Sequence, residues 1–85
     1  MHKKKKRKIK VIYRKLAREK VWGLAYFEHD IIEIDSRLNK KRLLSTILHE
    51  GLHLANESLS ESTVLKMEKI LADLLWQEGY RKVDQ

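Results

Sequence analysis

The sequence predicts an α+β fold, in which strands and helices are segregated along the chain. Three observations predict it. Short β-prone runs occupy the first half, and longer amphipathic runs occupy the second. That order suits a sheet with helices on one side better than alternating βαβ units. The last two β-prone runs are separated by three turn-forming residues, Glu28-His29-Asp30, which reads as a hairpin. The two helical runs are separated by only about five residues, Asn56 to Ser60, which reads as an antiparallel helix pair. A chain of 85 residues makes one domain with a modest core. Residues 9–85 are expected to form that domain, behind a basic tail over residues 1–8.

The elements follow in order. Ile9-Lys10-Val11-Ile12-Tyr13 alternates, with Ile9, Val11 and Tyr13 on one face, and predicts a first strand. Arg14 to Lys20 is either helical or a long charged connection. Val21 to Phe27 is the second strand, whose aromatic residues Trp22, Tyr26 and Phe27 are read as packing residues, and Ile31 to Asp35 is the third. Asn39 is positioned to cap the first helix. Along that helix Leu44, Leu48, Leu52 and Ala55 form an apolar stripe, widened by Leu43 and Ile47. Ser60 to about Gln77 is the second helix, with Ser60 as N-cap, Leu59 and Val64 as a hydrophobic staple, and Gly79 as the stop. Its stripe is Val64, Met67, Leu71, Leu74 and Leu75, with Ile70 and Trp76 beside it. Gly51, inside the first helix, costs ~1 kcal/mol relative to alanine. A close approach by the sheet or the second helix, or room beside a bound ion, is therefore expected there.

Charge is unevenly placed. The formal net charge is +7, yet residues 1–20 hold eleven of the 19 basic residues and one of the 12 acids. That leaves the remainder mildly acidic. The block Lys3, Lys4, Lys5, Lys6, Arg7 and Lys8 offers contact to nucleic acid or an anionic surface, since phosphate contacts need only positive charge. The plainer reading is a solvated tail, because no aromatic residue interleaves with the block. Without cysteine there are no disulfides and no thiolate metal sites, which fits a cytoplasmic protein. No apolar run approaches the ~18 residues of a membrane span. The basic start is not followed by the apolar core of a secretory signal.

The segment with chemical content is His49-Glu50-Gly51-Leu52-His53, which reads H-E-x-x-H. Residues four apart on a helix share a face. Two imidazoles so placed can hold one zinc ion, and the acid beside the first can act as general base. Thr46, His49, Glu50 and His53 fall next to the apolar stripe. The plain alternative is a pair of surface histidines on a core helix, but motif, register and flanks agree against it.

A catalytic zinc takes three protein ligands and leaves a fourth position open. No histidine follows His53, and Asn56 and Leu59 stand where the longer H-E-x-x-H-x-x-G-x-x-H pattern needs glycine and histidine. A downstream carboxylate remains. Glu57 follows His53 too closely. Glu61 begins the returning helix and should come level with His53, whereas Glu68 lies ~10 Å further along it. Glu61 is favoured and Glu68 stays open. With Ser58, Glu61 also makes an S-x-x-E capping box, which is its plain structural role.

A two-histidine H-E-x-x-H helix followed by a glutamate-bearing helix resembles the gluzincin clan of zinc metallopeptidases. The strand segments Gly23 to Phe27 and Ile31 to Asp35, the run Leu59-Ser60-Glu61 followed by Val64, and the Leu75-Trp76 and Gly79-Tyr80 pairs resemble its minimal members, the minigluzincins. The resemblance covers about residues 21 to 82. It implies a small antiparallel sheet of about three strands over an active-site helix and a glutamate helix. It implies a sheet edge that binds extended peptide by strand addition. It also implies that His49, His53 and Glu61 hold Zn2+ and that Glu50 is the catalytic base of a zinc metalloendopeptidase, active or latent. Larger gluzincins add a Tyr or His that stabilises the oxyanion; His29, Tyr26 and Tyr80 are the candidates here.

Two further readings stand beside the peptidase. One is a non-catalytic module that binds nucleic acid or protein through its basic segment. The other is a zinc site that is purely structural. Whether Arg81 to Gln85 folds over a cleft and blocks it is a question for the tertiary structure.

Overall fold

A computed structural model describes residues 7–83. Three strands, β1 (Lys10–Arg14), β2 (Gly23–Tyr26) and β3 (Ile31–Asp35), are followed by two helices, α1 (Lys40–Ala55) and α2 (Glu61–Gln77). The α+β class is the expected one.

The sheet is mixed rather than antiparallel. Its order is β1-β3-β2, with β2 antiparallel to β3 and β1 parallel to it. The cause is the connection between β1 and β2, which spans residues 15–22. It is neither a helix nor a tight hairpin, and a turn over residues 17–20 carries it across one end of β3. β3 therefore slots between the two earlier strands. Its apolar run suits the centre: Ile32 and Ile34 are buried, whereas both flanking strands carry exposed positions. Charged and short edge strands are also the usual protection of a sheet edge. The connection is anchored by Leu16, buried at 1% exposure, whose backbone N–H donates to Asp35 Oδ2 at 3.3 Å. Asp35 also accepts from the Arg37 backbone N–H at 2.9 Å and from its guanidinium at 2.7 and 3.0 Å. One buried carboxylate thus ties the crossover to the turn into α1.

On the helix-facing side Ile32, Ile34 and Leu54 form the core, with Ala25, Leu38, Leu43 and Ile47 packed against it. The α1 stripe is thus rotated from the expected one: Leu54 is buried and Ala55 is exposed. In α2, Val64 and Ala72 are buried, while Leu74 and Ile70 are exposed, so Leu74 does not belong to the packed face. Ile9, Val11 and Tyr13 share the helix side of β1, which lies beyond the reach of α1, and they stay part-exposed.

The helix ends follow their local chemistry. Asn39 Oδ1 accepts from the Arg42 N–H at 2.9 Å, and Ser60 Oγ from the Thr63 N–H at 3.2 Å. Such caps satisfy N–H groups left unpaired in the first turn. Gly79, at φ 85°, ends α2: its N–H donates to Trp76 O and that of Tyr80 to Leu75 O, the paired bonds of a Schellman stop. The expected Ser58–Glu61 capping box does not form. Ser58 instead closes a turn on Asn56 Oδ1, which leaves the Glu61 side chain free to face α1. No helix among the described residues is long and apolar enough to cross a membrane.

Candidate metal centre

The helix hairpin brings the N-terminal end of α2 level with the C-terminal half of α1. His49 and His53, one turn apart, stand with ring centroids 4.9 Å apart. Glu61 Oε1 lies 3.1 Å from His49 Nε2 and 2.7 Å from His53 Nε2. One ligand atom from each of the three residues falls within 4.8 Å of the others. Two imidazoles and one carboxylate are a donor set typical of catalytic zinc, and around a tetrahedral ion such atoms sit about 3.3 Å apart. The Glu61 oxygen already stands at about that spacing from both Nε2 atoms, so these three side chains could hold such an ion.

Glu68 is not part of this group. It lies deeper, and its Oε1 is 2.7 Å from His49 Nδ1, the nitrogen that faces away from Glu61. A carboxylate on that second nitrogen fixes the tautomer and aims Nε2 at the site. The rise along α2 explains the division: Glu61 meets the Nε2 side of the pair, and Glu68, two turns on, meets the back of His49. Sequence reading left the orienting partner of each histidine unassigned; for His49 it is Glu68. The signal available was an acid seven residues after Glu61, on the same face of α2.

Electrostatics follow from this packing. Burial alone would lower the His49 pKa, but the Glu68 hydrogen bond and the charges of Glu61, Glu50 and Glu68 outweigh it, and the pKa is raised. Glu61 shows the reverse balance: partial burial pushes it up, and the two histidines bring it below the ordinary value. Burial holds the Glu50 pKa above the usual carboxylate value, against the pull of His49 and His53. No hydrogen bond engages the Glu50 carboxylate among the described residues.

Glu50 lines a cleft of about 330 Å³, whose walls include Arg42 and His49 of α1, Glu61, Leu65 and Glu68 of α2, and Trp22 and Gly23 at the start of β2. Gly23 makes this possible. A Cβ there would stand 2.8 Å from Thr46 Cγ2, 3.0 Å from Glu50 Cγ and 3.2 Å from Glu33 O. β2 can lie against α1 beside Glu50 because this position has no side chain. The glycine singled out in the sequence, Gly51, has nothing within 4 Å of such a Cβ, so neither the sheet nor α2 requires it.

The oxyanion candidates fall elsewhere. Tyr26 points to the other face of the sheet, where its hydroxyl donates to Glu33 at 2.6 Å. His29 sits in the exposed turn after β2. Tyr80 follows the far end of α2, some 25 Å along the helix axis from Glu61. Of the basic block, Lys3, Lys4, Lys5 and Lys6 lie outside the described residues. Arg7 is engaged: its Nε donates to Asp30 Oδ1 at 2.7 Å and a terminal nitrogen to Leu54 O at 3.1 Å. Lys8 is exposed. Arg81 stacks on Trp76 and Lys82 lies over Tyr13 of β1, so the C-terminal segment through Val83 runs along the opposite flank from the cleft. Asp84 and Gln85 lie outside the described residues.

No family model, curated protein or solved structure matches this chain.

Proposed function

We propose that the protein is a zinc-dependent peptidase, with His49, His53 and Glu61 as the ligands and Glu50 as the general base. The observation that carries the reading is the convergence of two Nε2 atoms and one carboxylate beside a part-buried, unbonded Glu50. Zinc held there would supply Lewis acidity toward a carbonyl and bring the pKa of water to about 7.

The protein's own groups account for the remainder. Glu50, its pKa raised by burial, takes a proton from water and returns it to the leaving amine. Glu68 keeps His49 in one tautomer. Substrate is held by the free edge of β2. The Asp35 N–H donates to Trp22 O at 2.8 Å, so the alternation of an antiparallel ladder turns the backbone groups of Trp22, Leu24 and Tyr26 toward β3. Those of Gly23 and Ala25 point outward, and Gly23 lies next to Glu50. No other strand pairs with them among the described residues. An extended peptide can add there as a further strand.

Elemental analysis of wild type, His53→Ala, Glu61→Ala, Glu68→Ala and Glu50→Gln tests the proposal, together with hydrolysis of a casein-derived peptide mixture. One zinc per wild-type chain is expected, lost in His53→Ala and Glu61→Ala and retained in Glu50→Gln without hydrolysis. A wild-type protein that takes up no zinc would end the reading. A zinc site with equal activity in wild type and Glu50→Gln would leave a structural ion only.

A further inference from the structure

Arg42 lines the same cleft two turns before His49, and it is the only cation doing so among the described residues. Its guanidinium stacks on the Trp22 ring at 3.9 Å, and Trp22 is 54% exposed at the rim. The other arginines near the sheet are occupied: Arg7 by Asp30, Arg14 by Glu33 and Glu19, Arg37 by Asp35. Arg42 pairs with no carboxylate among the described residues. A guanidinium fixed by stacking keeps its N–H edges free, in a fork that matches a carboxylate. The cleft therefore carries Glu50 and Glu61 beside the histidines and one stacked cation, Arg42, two turns away, while Glu68 bonds His49 and also lines the hollow shared with Arg42.

The direction of β2 decides which part of a substrate reaches that cation. Trp22 lies beside Arg42, and Gly23 beside Thr46 and Glu50, so β2 and α1 advance together past the site. A peptide added antiparallel to β2 then runs from the Ala25 end toward Trp22. Its C-terminal side approaches Arg42. Seven residues of helix separate Arg42 from His49, about 10 Å of rise. An extended chain covers that span in about three residues at ~3.4 Å each. A second hollow of about 540 Å³ shares Arg42, Ser45, Leu65 and Glu68 and is also lined by Lys41 and Lys69, both of which pair with Asp73.

Resting on the peptidase reading, we infer that Arg42, held by Trp22, is the receptor for a substrate carboxylate about three residues to the C-terminal side of the scissile bond. The carboxylate is either the chain terminus or an acidic side chain. Arg42 is a specificity-determining residue, and it takes no part in the proton transfers.

Calorimetric titration of the full chain, supplied with zinc and carrying Glu50→Gln so that no peptide is consumed, tests this. The probes are an acetylated alanine-leucine hexapeptide with a free C-terminus, its C-terminal amide, and the amide with glutamate at the penultimate place. The free acid or the glutamate amide should bind at least tenfold more tightly than the plain amide, and whichever does so names the source of the carboxylate. Adding Arg42→Gln should shrink the gap below twofold, and Arg42→Lys should restore it only in part. Equal binding of all three peptides, no binding of any, or a preference that survives Arg42→Gln would overturn the inference, as would their displacement by a thymidine oligonucleotide. Cleavage by the wild-type protein is scored separately. Cleavage without carboxylate preference sinks this inference alone, and carboxylate-dependent binding without cleavage sinks the peptidase reading alone.

Discussion

Replacing Gly23 with alanine probes a close approach of sheet and helix. The added methyl would stand 2.8 Å from Thr46 Cγ2, against ~3.5–4.0 Å for an optimal carbon–carbon contact. Thr46 cannot easily yield: it is buried, and its hydroxyl donates to Arg42 O at 2.7 Å, which pins the rotamer. Glu33 O, at 3.2 Å, is backbone of the central strand. Only the Glu50 side chain, 3.0 Å away at Cγ, is flexible. Overpacking of this kind costs ~1–3 kcal/mol. The smaller conformational freedom of alanine in the unfolded chain offsets ~0.4–1 kcal/mol of that. A net loss of about 1–2 kcal/mol remains, and it corresponds to a Tm lowered by roughly 5–15 °C in a domain of this size. Thermal melting followed by circular dichroism measures it, with Gly51→Ala as the control. Gly51 has open space at its Cβ position and sits in a helix interior, so its alanine variant should be more stable by ~0.5–1 kcal/mol. The two glycine substitutions are thus expected to have opposite signs. A Gly23→Ala protein that melts at or above the wild-type temperature would refute the argument and show that β2 does not lean on Thr46 and Glu50.

The remaining expectations concern the carboxylates. Glu68→Gln should weaken zinc binding by about 10–100-fold in a chelator competition while leaving one site per chain, because it loosens His49 without removing a ligand; full loss of the site would make Glu68 itself a ligand. Asp35→Asn should lower the Tm at neutral pH, because the Arg37 guanidinium and backbone N–H groups hold the Asp35 carboxyl well below its ordinary range. A depressed carboxyl stabilises the fold above its unfolded pKa of about 3.9, and the benefit fades as pH falls through the folded value. The Tm gap between wild type and Asp35→Asn should therefore hold from pH 7 to 5 and narrow below about pH 4; a gap that widens in acid would contradict that sign.

The sequence by itself determined the three strands and two helices and the ends of the helices, while β2 proved shorter than the Val21 to Phe27 run. Asn39, Ser60 and Gly79 each act within a few residues of their own position, through caps and a left-handed stop, so their roles are legible locally. The same holds for placing Glu61 beside His49 and His53. A five-residue link and the rise of a helix leave few alternatives for which acid comes level with which turn. What only the tertiary structure decided depends on pairing between distant segments. Nothing in the charged run from Lys15 to Lys20 states that it crosses β3, so the parallel β1–β3 pairing was not legible. With the strand order unknown, it was also undetermined that Tyr26 would turn toward Glu33, that Gly23 would meet Thr46 and Glu50, and that Trp22 would lie under Arg42. The caps at Asn39 and Ser60 are set by neighbouring residues in sequence, whereas the exact buried face of each helix was not: Leu54 is buried where Ala55 was expected, and Leu74 is exposed. Strand order and the walls of the cleft are set by which remote surfaces bury each other, and that choice is made only when the whole core closes.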